Sequence, residues 1–185
     1  MVRLGERTDP LSDEELVRRA RDGDDAAFSA LLREHCESVY RTALSIVSDS
    51  DVAQDVAQET FLKAYRALPG FRGDASFRTW ILTIAANAAR GALRRSGRRK
   101  ETNIDAAPPV ESGEASPEDD AVMADEAARA RGALEQLPEK QRLSIQLRVD
   151  QGLSFREIGE ITGSSEGAAR VNYFHGIRRL REMMA

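Results

Sequence analysis

An acidic segment in the middle of the chain places the strongest constraint on its fold. Residues 101–127 contain nine acidic side chains, no basic ones, three prolines and no aromatic residue. A segment of this composition cannot bury enough apolar surface to offset the entropy that it would lose on ordering. We therefore expect a flexible acidic linker at 101–127, with a separate small domain on each side, at 1–100 and at 128–185.

Charge is distributed unevenly about this linker. The whole chain has a formal net charge of -4, but residues 1–100 carry 17 basic and 15 acidic side chains, and residues 128–185 carry 10 and 7. Both predicted domains are thus slightly basic, because the excess of acidic residues belongs to the linker. This balance is compatible with nucleic acid as a partner of either domain.

Membrane and redox signals are weak in this sequence. It has no run of 18 apolar residues, and its first ten residues lack an apolar signal core, so we expect no membrane insertion and a cytoplasmic location. The single cysteine, Cys36, cannot form an internal disulfide. Because Cys36 falls inside a helical apolar pattern, it is predicted to be a buried small hydrophobic residue rather than a redox sensor.

The first domain is predicted to be helical throughout. Ser12 and Glu15 have the spacing of a capping box, and Gly23-Asp24 separates this first helix from a second that begins near Ala26. A third helix is expected over 51–67. One side of it carries acidic and amide residues around a leucine: Asp55, Gln58, Glu59, Leu62 and Arg66. This side is either a solvated face or a partner surface, and the residues alone leave both open.

Residues 71–100 join an aromatic loop to an apolar helix and then to a cluster of arginines. From Phe77 onward, apolar residues recur at intervals of three and four, which predicts one buried helical face that includes Trp80. Six of the eleven residues from Arg90 to Lys100 are Arg or Lys. These side chains either end the helix in solvent or bind phosphates, and the second interpretation is favoured.

The second domain contains the best-defined motif. Ser154 and Glu157 predict a capping box for a short helix, Gly163 permits a tight turn, and a second helix begins near Ser165. This order is typical of a helix-turn-helix, although an ordinary helical hairpin has the same local signals. The outward side of the second helix is predicted to carry Arg170, Val171, Phe174, His175 and Arg178. Such a mixture of basic and apolar groups suits the major groove of DNA.

Catalytic signals are scarce. The two histidines, His35 and His175, have no metal-ligand spacing around them, and the sequence contains no glycine-rich phosphate loop or nucleophile elbow. We therefore expect a protein that is not an enzyme and that has no cofactor or metal.

Taken in order, these motifs resemble those of bacterial extracytoplasmic-function (ECF) sigma factors, two-domain members of the housekeeping-type sigma family. DVAQDVAQETFLKAYRAL resembles the helix that binds core RNA polymerase. FRGDASFRTWILTIAANAARGALRRSGRR resembles the loop and helix that engage the -10 promoter element, and LEQLPEKQRLSIQLRVDQGLSFREIGEITGSSEGAARVNYFHGIRRLRE resembles the domain that recognises the -35 element. The resemblance covers nearly all of residues 13–184. It implies an all-α, two-domain protein that binds core polymerase, recognises both elements and promotes DNA opening.

The resemblance also implies three sets of contact residues. The clamp helices of the largest polymerase subunit would meet Asp55, Gln58, Glu59, Leu62 and Arg66. A flipped base of the -10 element and its neighbouring phosphates would be held by Phe71, Asp74, Ser76, Phe77, Asn87, Arg90, Arg94 and Arg95. The -35 element would be recognised by Arg170, Val171, Phe174, His175 and Arg178. Further implied partners are the polymerase flap and an anti-sigma factor, and the linker resembles the segment that the family threads toward the RNA exit path.

One departure and two alternatives stay open at this point. His175 and Ile177 stand where many family members carry Arg, so the base preference at these positions is undetermined. An autonomous helix-turn-helix transcriptional regulator would share the second domain, but it normally requires dimerisation and would not need the stripe around Leu62. A nucleic-acid-processing enzyme is the other alternative, and the scarcity of catalytic motifs argues against it.

Overall fold

The computed structural model of the chain describes residues 11–102 and 129–185, with side chains over residues 11–97 and 129–185. Within these ranges the chain consists of α-helices joined by short turns and contains no β-strand, which confirms the predicted all-α class. The expected linker lies outside the described residues except for positions 101 and 102. These two positions continue a helix of the first domain.

Four helices form the first part of the fold. They are α1 (Asp13–Arg21), α2 (Asp25–Val47), α3 (Ser50–Ala67) and α4 (Phe77–Thr102). A 3₁₀ turn, Leu68–Gly70, and the loop of residues 71–76 connect α3 to α4. The predicted third helix at 51–67 therefore differs from α3 by one residue.

Local capping explains where these helices begin and end. The Ser12 side chain accepts a hydrogen bond from the Glu15 N–H, and Asp24 accepts from the N–H groups of Ala26 and Ala27. Ser48 ends α2 with a left-handed backbone, φ 54°, and Asp49 then caps α3. The break predicted near Gly23 is thus confirmed.

Cys36 is exposed, so the prediction that it is a buried hydrophobic residue is wrong. The inward side of α2 repeats at Leu31, His35 and Val39, at intervals of four residues, and all three are buried. Cys36 lies one residue, or about 100°, beyond His35 around the helix. The histidine therefore takes the inward position, and the Cys36 thiol donates to the carbonyl oxygen of Arg33 at 3.4 Å.

The second part of the fold contains the predicted helix-turn-helix. Its helices are α5 (129–135), α6 (Glu139–Val149), α7 (Phe155–Thr162) and α8 (Glu166–Met184). Ser154 and Glu157 form both hydrogen bonds of the capping box at the start of α7, and Gly163 ends that helix at φ 66°. Gly159 permits the tight turn that follows, because a Cβ at this position would lie 2.8 Å from the Ser164 carbonyl oxygen.

The two parts pack against each other and share one apolar core. Helix α7 lies against α4, and α6 lies against α2. Leu143, Leu147, Ile158 and Ile161 from the second part belong to the same buried cluster as Ile81 of α4. The apolar face predicted for α4 is therefore only part of its buried surface, because Thr79 of α4 is also buried and contacts Glu157 of α7.

Candidate nucleic-acid interface

An aromatic cluster forms the base of the loop before α4. The Phe71 ring centroid lies 4.8 Å from that of Trp80 and 6.2 Å from that of Phe77, and the Phe77 and Trp80 rings are 5.7 Å apart. Phe77 is 3% exposed, whereas Phe71 and Trp80 are half-buried. Phe77 is consequently a rigid support, and Phe71 presents the more accessible aromatic surface.

A cleft of about 600 Å³ opens above this aromatic cluster. The loop contributes Phe71, Asp74 and Ser76, and Phe77 of α4 also lines the cleft. Arg72, Gly73 and Ala75 of the loop line it as well. Further lining residues come from α1 and from the second domain: Asp13, Glu14, Val17, Arg18, Arg21 and Arg156. The loop residues predicted for the -10 site are therefore brought together around one concave surface, with basic groups from α1 on its rim.

His35 supports the cleft from below, and the sequence pattern did not reveal this role. Its ring is 5% exposed and lies 5.4 Å from the Phe77 ring. His35 Nε2 lies 2.9 Å from Oδ2 of Asp13 and 3.1 Å from Oδ1. Asp13 itself lines the cleft, so this pair connects α1 to the aromatic cluster. The signal available in the sequence was a histidine at a position where the α2 pattern requires an apolar residue.

Asn87 and the arginines of α4 are separated from the cleft. Asn87 is exposed but does not line the cleft, and it follows Phe77 by ten residues, or roughly 15 Å along the helix. Arg94 and Arg95 are exposed farther along the same helix. Arg90 is mostly buried against the second domain, with 21% of its side chain exposed. The eight residues predicted for the -10 element thus fall into three groups. Four line the cleft, Asn87, Arg94 and Arg95 form an exposed strip along α4, and Arg90 is covered by the second domain.

The predicted stripe on α3 is largely accessible. Asp55, Gln58, Leu62 and Arg66 are exposed, and Leu62 leaves 59% of its surface in solvent. Glu59 is half-buried, and hydrogen bonds from Lys63 and Arg95 hold the pKa of its carboxyl below its ordinary value. This stripe is a mixed surface in which an apolar side chain is surrounded by polar groups.

Tyr65 adds a second large side chain to the exposed part of α3. Its ring packs edge-on against Phe28 at 5.0 Å between centroids, yet the residue is 51% exposed. Its hydroxyl donates to Asp25 at 3.1 Å, and the carboxylate raises the pKa of the phenol. The apolar part of the α3 surface is therefore larger than Leu62 alone.

The outward side of α8 is exposed as the helical spacing predicted. Arg170, Val171, Phe174, His175 and Arg178 are all exposed, and Phe174 leaves 58% of its surface in solvent. The Arg170 guanidinium lies 5.3 Å from the centre of the Phe155 ring and 3.0 Å from the Glu166 carboxylate. These two contacts orient Arg170 at the start of the helix.

Close packing holds α8 in place from behind. A Cβ at Gly176 would lie 2.7 Å from Cδ1 of Ile145, so glycine at this position lets α8 approach α6. The inward residues Ala169 and Gly176 are buried, whereas Tyr173, Ile177 and Leu180 are half-buried. The helix-turn-helix is thus a rigid support for five exposed side chains.

Other kinds of site receive no support from the described ranges. No group of three or more His, Cys, Asp or Glu side chains in residues 11–97 and 129–185 is arranged to hold a metal ion. No helix of the described part of the chain has the length and apolar character needed to cross a membrane.

Comparisons with known proteins identify two family domains in the chain. The family model for sigma-70 region 2 matches residues 31–99, and the model for sigma-70 region 4 matches residues 133–182. The first match contains α3 and most of α4, and the second contains the helix-turn-helix. Together they cover more than half of the chain.

Individual relatives extend the match over most of the sequence. The chain is 37% identical over 171 residues to the RNA polymerase sigma-H factor of Pseudomonas aeruginosa, covering 88% of each chain. It is 38% identical over 175 residues to the ECF RNA polymerase sigma-E factor of Escherichia coli K12, covering 90% of this chain and 91% of the relative. A solved structure of CnrH in complex with the cytosolic domain of CnrY superposes with a TM-score of 0.69 at 25% identity, covering 93% and 96% of the two chains. The chain therefore belongs to the extracytoplasmic-function sigma factors of the sigma-70 family.

Proposed function

We propose that this sigma factor uses three separate surfaces to recruit core RNA polymerase to a promoter and to open the DNA there. The observation that carries the proposal is that one chain holds the α3 stripe, the aromatic cleft and the exposed side of α8. An autonomous helix-turn-helix regulator would need only the last of these. In this division, residues 1–100 form the polymerase and -10 domain, 101–127 the linker, and 128–185 the -35 domain.

The α3 stripe binds the clamp helices of the largest polymerase subunit. Leu62 supplies the apolar contact at the centre, and Asp55, Gln58, Glu59 and Arg66 supply polar contacts around it. An exposed apolar side chain inside a polar rim is the usual composition of a protein interface. Tyr65 enlarges this surface.

The cleft captures an unstacked base of the non-template strand. Extruding a base costs a few kcal/mol, and stacking on an aromatic ring recovers about 1–3 kcal/mol. Phe71 provides the ring, Phe77 fixes the position of Phe71, and Asp74 with Ser76 offers polar contacts to the edge of the base. Because the cleft accepts an unpaired base and excludes a stacked duplex, binding shifts the promoter toward the melted state.

The exposed strip of α4 binds the part of the non-template strand that lies beyond the cleft. Asn87 contacts a base, while Arg94 and Arg95 contact phosphates, as does Arg90 when it is accessible. Each phosphate contact releases counterions, so this part of the binding energy depends strongly on salt.

The second domain recognises the -35 duplex through the major groove. Arg170 and Arg178 can donate two parallel hydrogen bonds to guanine, and Val171 and Phe174 can touch thymine methyl groups. His175 offers a ring nitrogen for one further hydrogen bond to a base edge. The polymerase flap holds this domain, and the catalytic steps belong to the polymerase.

Regulation by a protein partner and a cytoplasmic location belong to the same proposal. CnrH, which has a similar fold, is bound by the cytosolic domain of CnrY. An anti-sigma factor that covers the described surfaces of this chain would keep it from the polymerase.

Run-off transcription tests the proposed function directly. Purified chain and core polymerase are incubated with a library of genomic fragments, and the transcript starts are sequenced. We expect initiation at a set of promoters that share two motifs, and we expect Leu62→Ala to abolish it by preventing co-purification with core polymerase. Gln54→Ala, at an exposed position of α3 outside the stripe, is the matched control. DNA binding as a dimer without any polymerase association would overturn the proposal.

A further inference from the structure

The Asp13 carboxylate is held at the edge of the cleft by a buried histidine. His35 Nε2 lies 2.9 Å from Oδ2 of Asp13 and 3.1 Å from Oδ1, and it is the donor because an ionised carboxylate only accepts hydrogen bonds. The His35 side chain is 6% exposed, whereas that of Asp13 is 29% exposed. The donor therefore lies behind the carboxylate, and lone pairs of Asp13 remain available to a ligand in the cleft.

The other carboxylates of the cleft are oriented less firmly. Among the described residues that line it, Asp74 pairs with Arg72 at 3.1 Å, and both of these side chains are exposed. Glu14 is exposed as well. An ion pair between exposed side chains contributes little energy and does not fix the direction of either group. Asp13 is therefore the cleft carboxylate whose position is set by the protein interior.

The hydroxyl of Ser76 is a second fixed acceptor in the cleft. It donates to Oγ1 of Thr79 at 2.9 Å and accepts from the Thr79 N–H at 3.1 Å. Thr79 is 1% exposed, so the core holds both of these contacts in place. Because its hydrogen is already used, the Ser76 oxygen offers a ligand only its second lone pair. Asp13 and Ser76 thus both present acceptors to whatever enters the cleft.

His35 also fixes the apolar part of the same cleft. Its ring lies 5.4 Å from the Phe77 ring, which in turn packs against Phe71. One buried side chain on α2 therefore contacts both the aromatic support and the carboxylate acceptor. This contact sets the position of the acceptor relative to the ring on which a base would stack.

We propose that Asp13 binds the exocyclic amino group of the captured base and that His35 is the positioning residue for this contact. Adenine and cytosine carry an amino group, whereas thymine has the carbonyl oxygen O4 at the corresponding position. Thymine would therefore place an acceptor against an acceptor, with no proton between them. The inference rests on the proposed function, because it assumes capture of a base in the cleft. It adds that base selection depends on α1 and α2 as well as on the loop of residues 71–76.

Binding of non-template strands to holoenzyme, formed from the full chain and core polymerase, tests this assignment. A -10 strand from a promoter found by run-off transcription is first scanned with an abasic site at each position, which locates the captured base. That base is then replaced by thymine, or by an analogue that lacks only the amino group: purine for adenine, or 2-pyrimidinone for cytosine. We expect the analogue to bind about tenfold more weakly than the native base, the loss expected for one hydrogen bond to a charged group. Fluorescence anisotropy measures the affinity.

Replacing the acceptor should change the base preference. Asp13→Asn keeps the size of the side chain but forms weaker, uncharged hydrogen bonds, so the tenfold difference should fall to about threefold. Its amide N–H can donate to O4, so thymine should bind better to this variant than to the wild type. Asp22→Asn makes the same chemical change at an exposed position outside the cleft, and this matched control should keep the tenfold difference.

Two variants of His35 separate positioning from stability. His35→Leu removes the donor behind Asp13 and should also lower the difference between the native base and its analogue. His35→Gln still carries an N–H that can donate to Asp13, and it should restore the difference. Urea denaturation of each variant measures stability independently of the base preference.

The outcomes separate this inference from the proposed function. Equal binding of the native base and its analogue by the wild type, or an unchanged difference in Asp13→Asn, would overturn the role of Asp13 even though the abasic scan still shows a captured base. Discrimination that persists in His35→Leu, or that His35→Gln does not restore, would overturn the positioning role of His35. An abasic scan without any sensitive position would reject base capture itself, and with it both the proposed function of the cleft and this inference.

Discussion

The two surfaces proposed to recognise promoter DNA both contain phenylalanine, but they bury it to different extents. Phe77 at the cleft is 3% exposed, whereas Phe174 on α8 is 58% exposed. The cleft is concave, so its rings must be fixed by the core before they can hold a single base. The recognition helix is convex, and its support comes from close packing behind it. The shape of the cleft therefore depends on side chains that belong to the protein core. The side chains that α8 presents to DNA lie outside the core.

Replacing Phe77 by alanine should have the largest effect. Loss of a fully buried ring leaves a cavity, and such changes cost about 3–5 kcal/mol of unfolding free energy. Because Phe71 and His35 pack against this ring, open-complex formation should also fall, even where the variant is folded and still binds core polymerase. Urea denaturation followed by circular dichroism measures the stability, and permanganate footprinting measures the opening. A variant with unchanged stability would contradict the buried position of Phe77.

Alanine at Gly159 tests the support of the recognition helix. Its Cβ would meet the Ser164 carbonyl oxygen at 2.8 Å, so the turn between α7 and α8 must shift, at a cost of about 1–3 kcal/mol. Gly167→Ala is the matched control, since the space around Gly167 is open and alanine favours a helix by up to about 1 kcal/mol. Thermal unfolding of the two variants should therefore shift in opposite directions. A Gly159→Ala variant as stable as the wild type would show that the turn tolerates the extra carbon.

Replacing Phe174 by alanine should separate binding from stability. The unfolding free energy should change by less than about 0.5 kcal/mol, as for most surface substitutions. Binding of holoenzyme to a -35 duplex should weaken by about 1–3 kcal/mol, comparable to one mismatched base pair. Fluorescence anisotropy with a labelled duplex measures the binding. Equal losses in binding and stability would mean that Phe174 belongs to the core.

Much of this architecture could be predicted from local sequence signals. The capping residues and glycines predicted the helix boundaries to within one or two residues, because a cap acts on its own helix. The contacts of Arg90 could not be predicted in this way. Its spacing from Asn87 favours an exposed position, but Glu139 and Ile161, about 50 and 70 positions away, cover it. The contact of His35 with Phe77 could not be predicted either, because it depends on the packing of α2 against α4.

Neutralising Arg94 and Arg95 should have a smaller effect, which is visible mainly in the salt dependence of DNA binding. Each single-strand phosphate contact adds about 0.7 to the slope of log affinity against log salt concentration. The double variant with glutamine should therefore lower this slope by about 1.4 for a -10 strand, at every sequence tested. Arg170→Gln on α8 is the comparison, because loss of a base contact should change sequence preference more than salt dependence. An unchanged slope in the double variant would remove these arginines from the phosphate path.

The smallest expected effect concerns the pH dependence of stability that comes from Glu157, where α7 contacts α4. Burial alone would raise the pKa of this carboxyl, but hydrogen bonds from Ser154 and Thr79 hold it below its ordinary value. A carboxyl with a lowered pKa in the folded state stabilises that state above its unfolded pKa, near 4.5, and this contribution is lost as the pH falls further. Glu157→Gln should therefore flatten the acid side of the stability profile between about pH 5 and pH 3, measured by urea denaturation. Glu160→Gln, at an exposed position of the same helix, is the matched control. An unaltered profile in Glu157→Gln would mean that neither the capping box of α7 nor the contact with Thr79 depends on this charge.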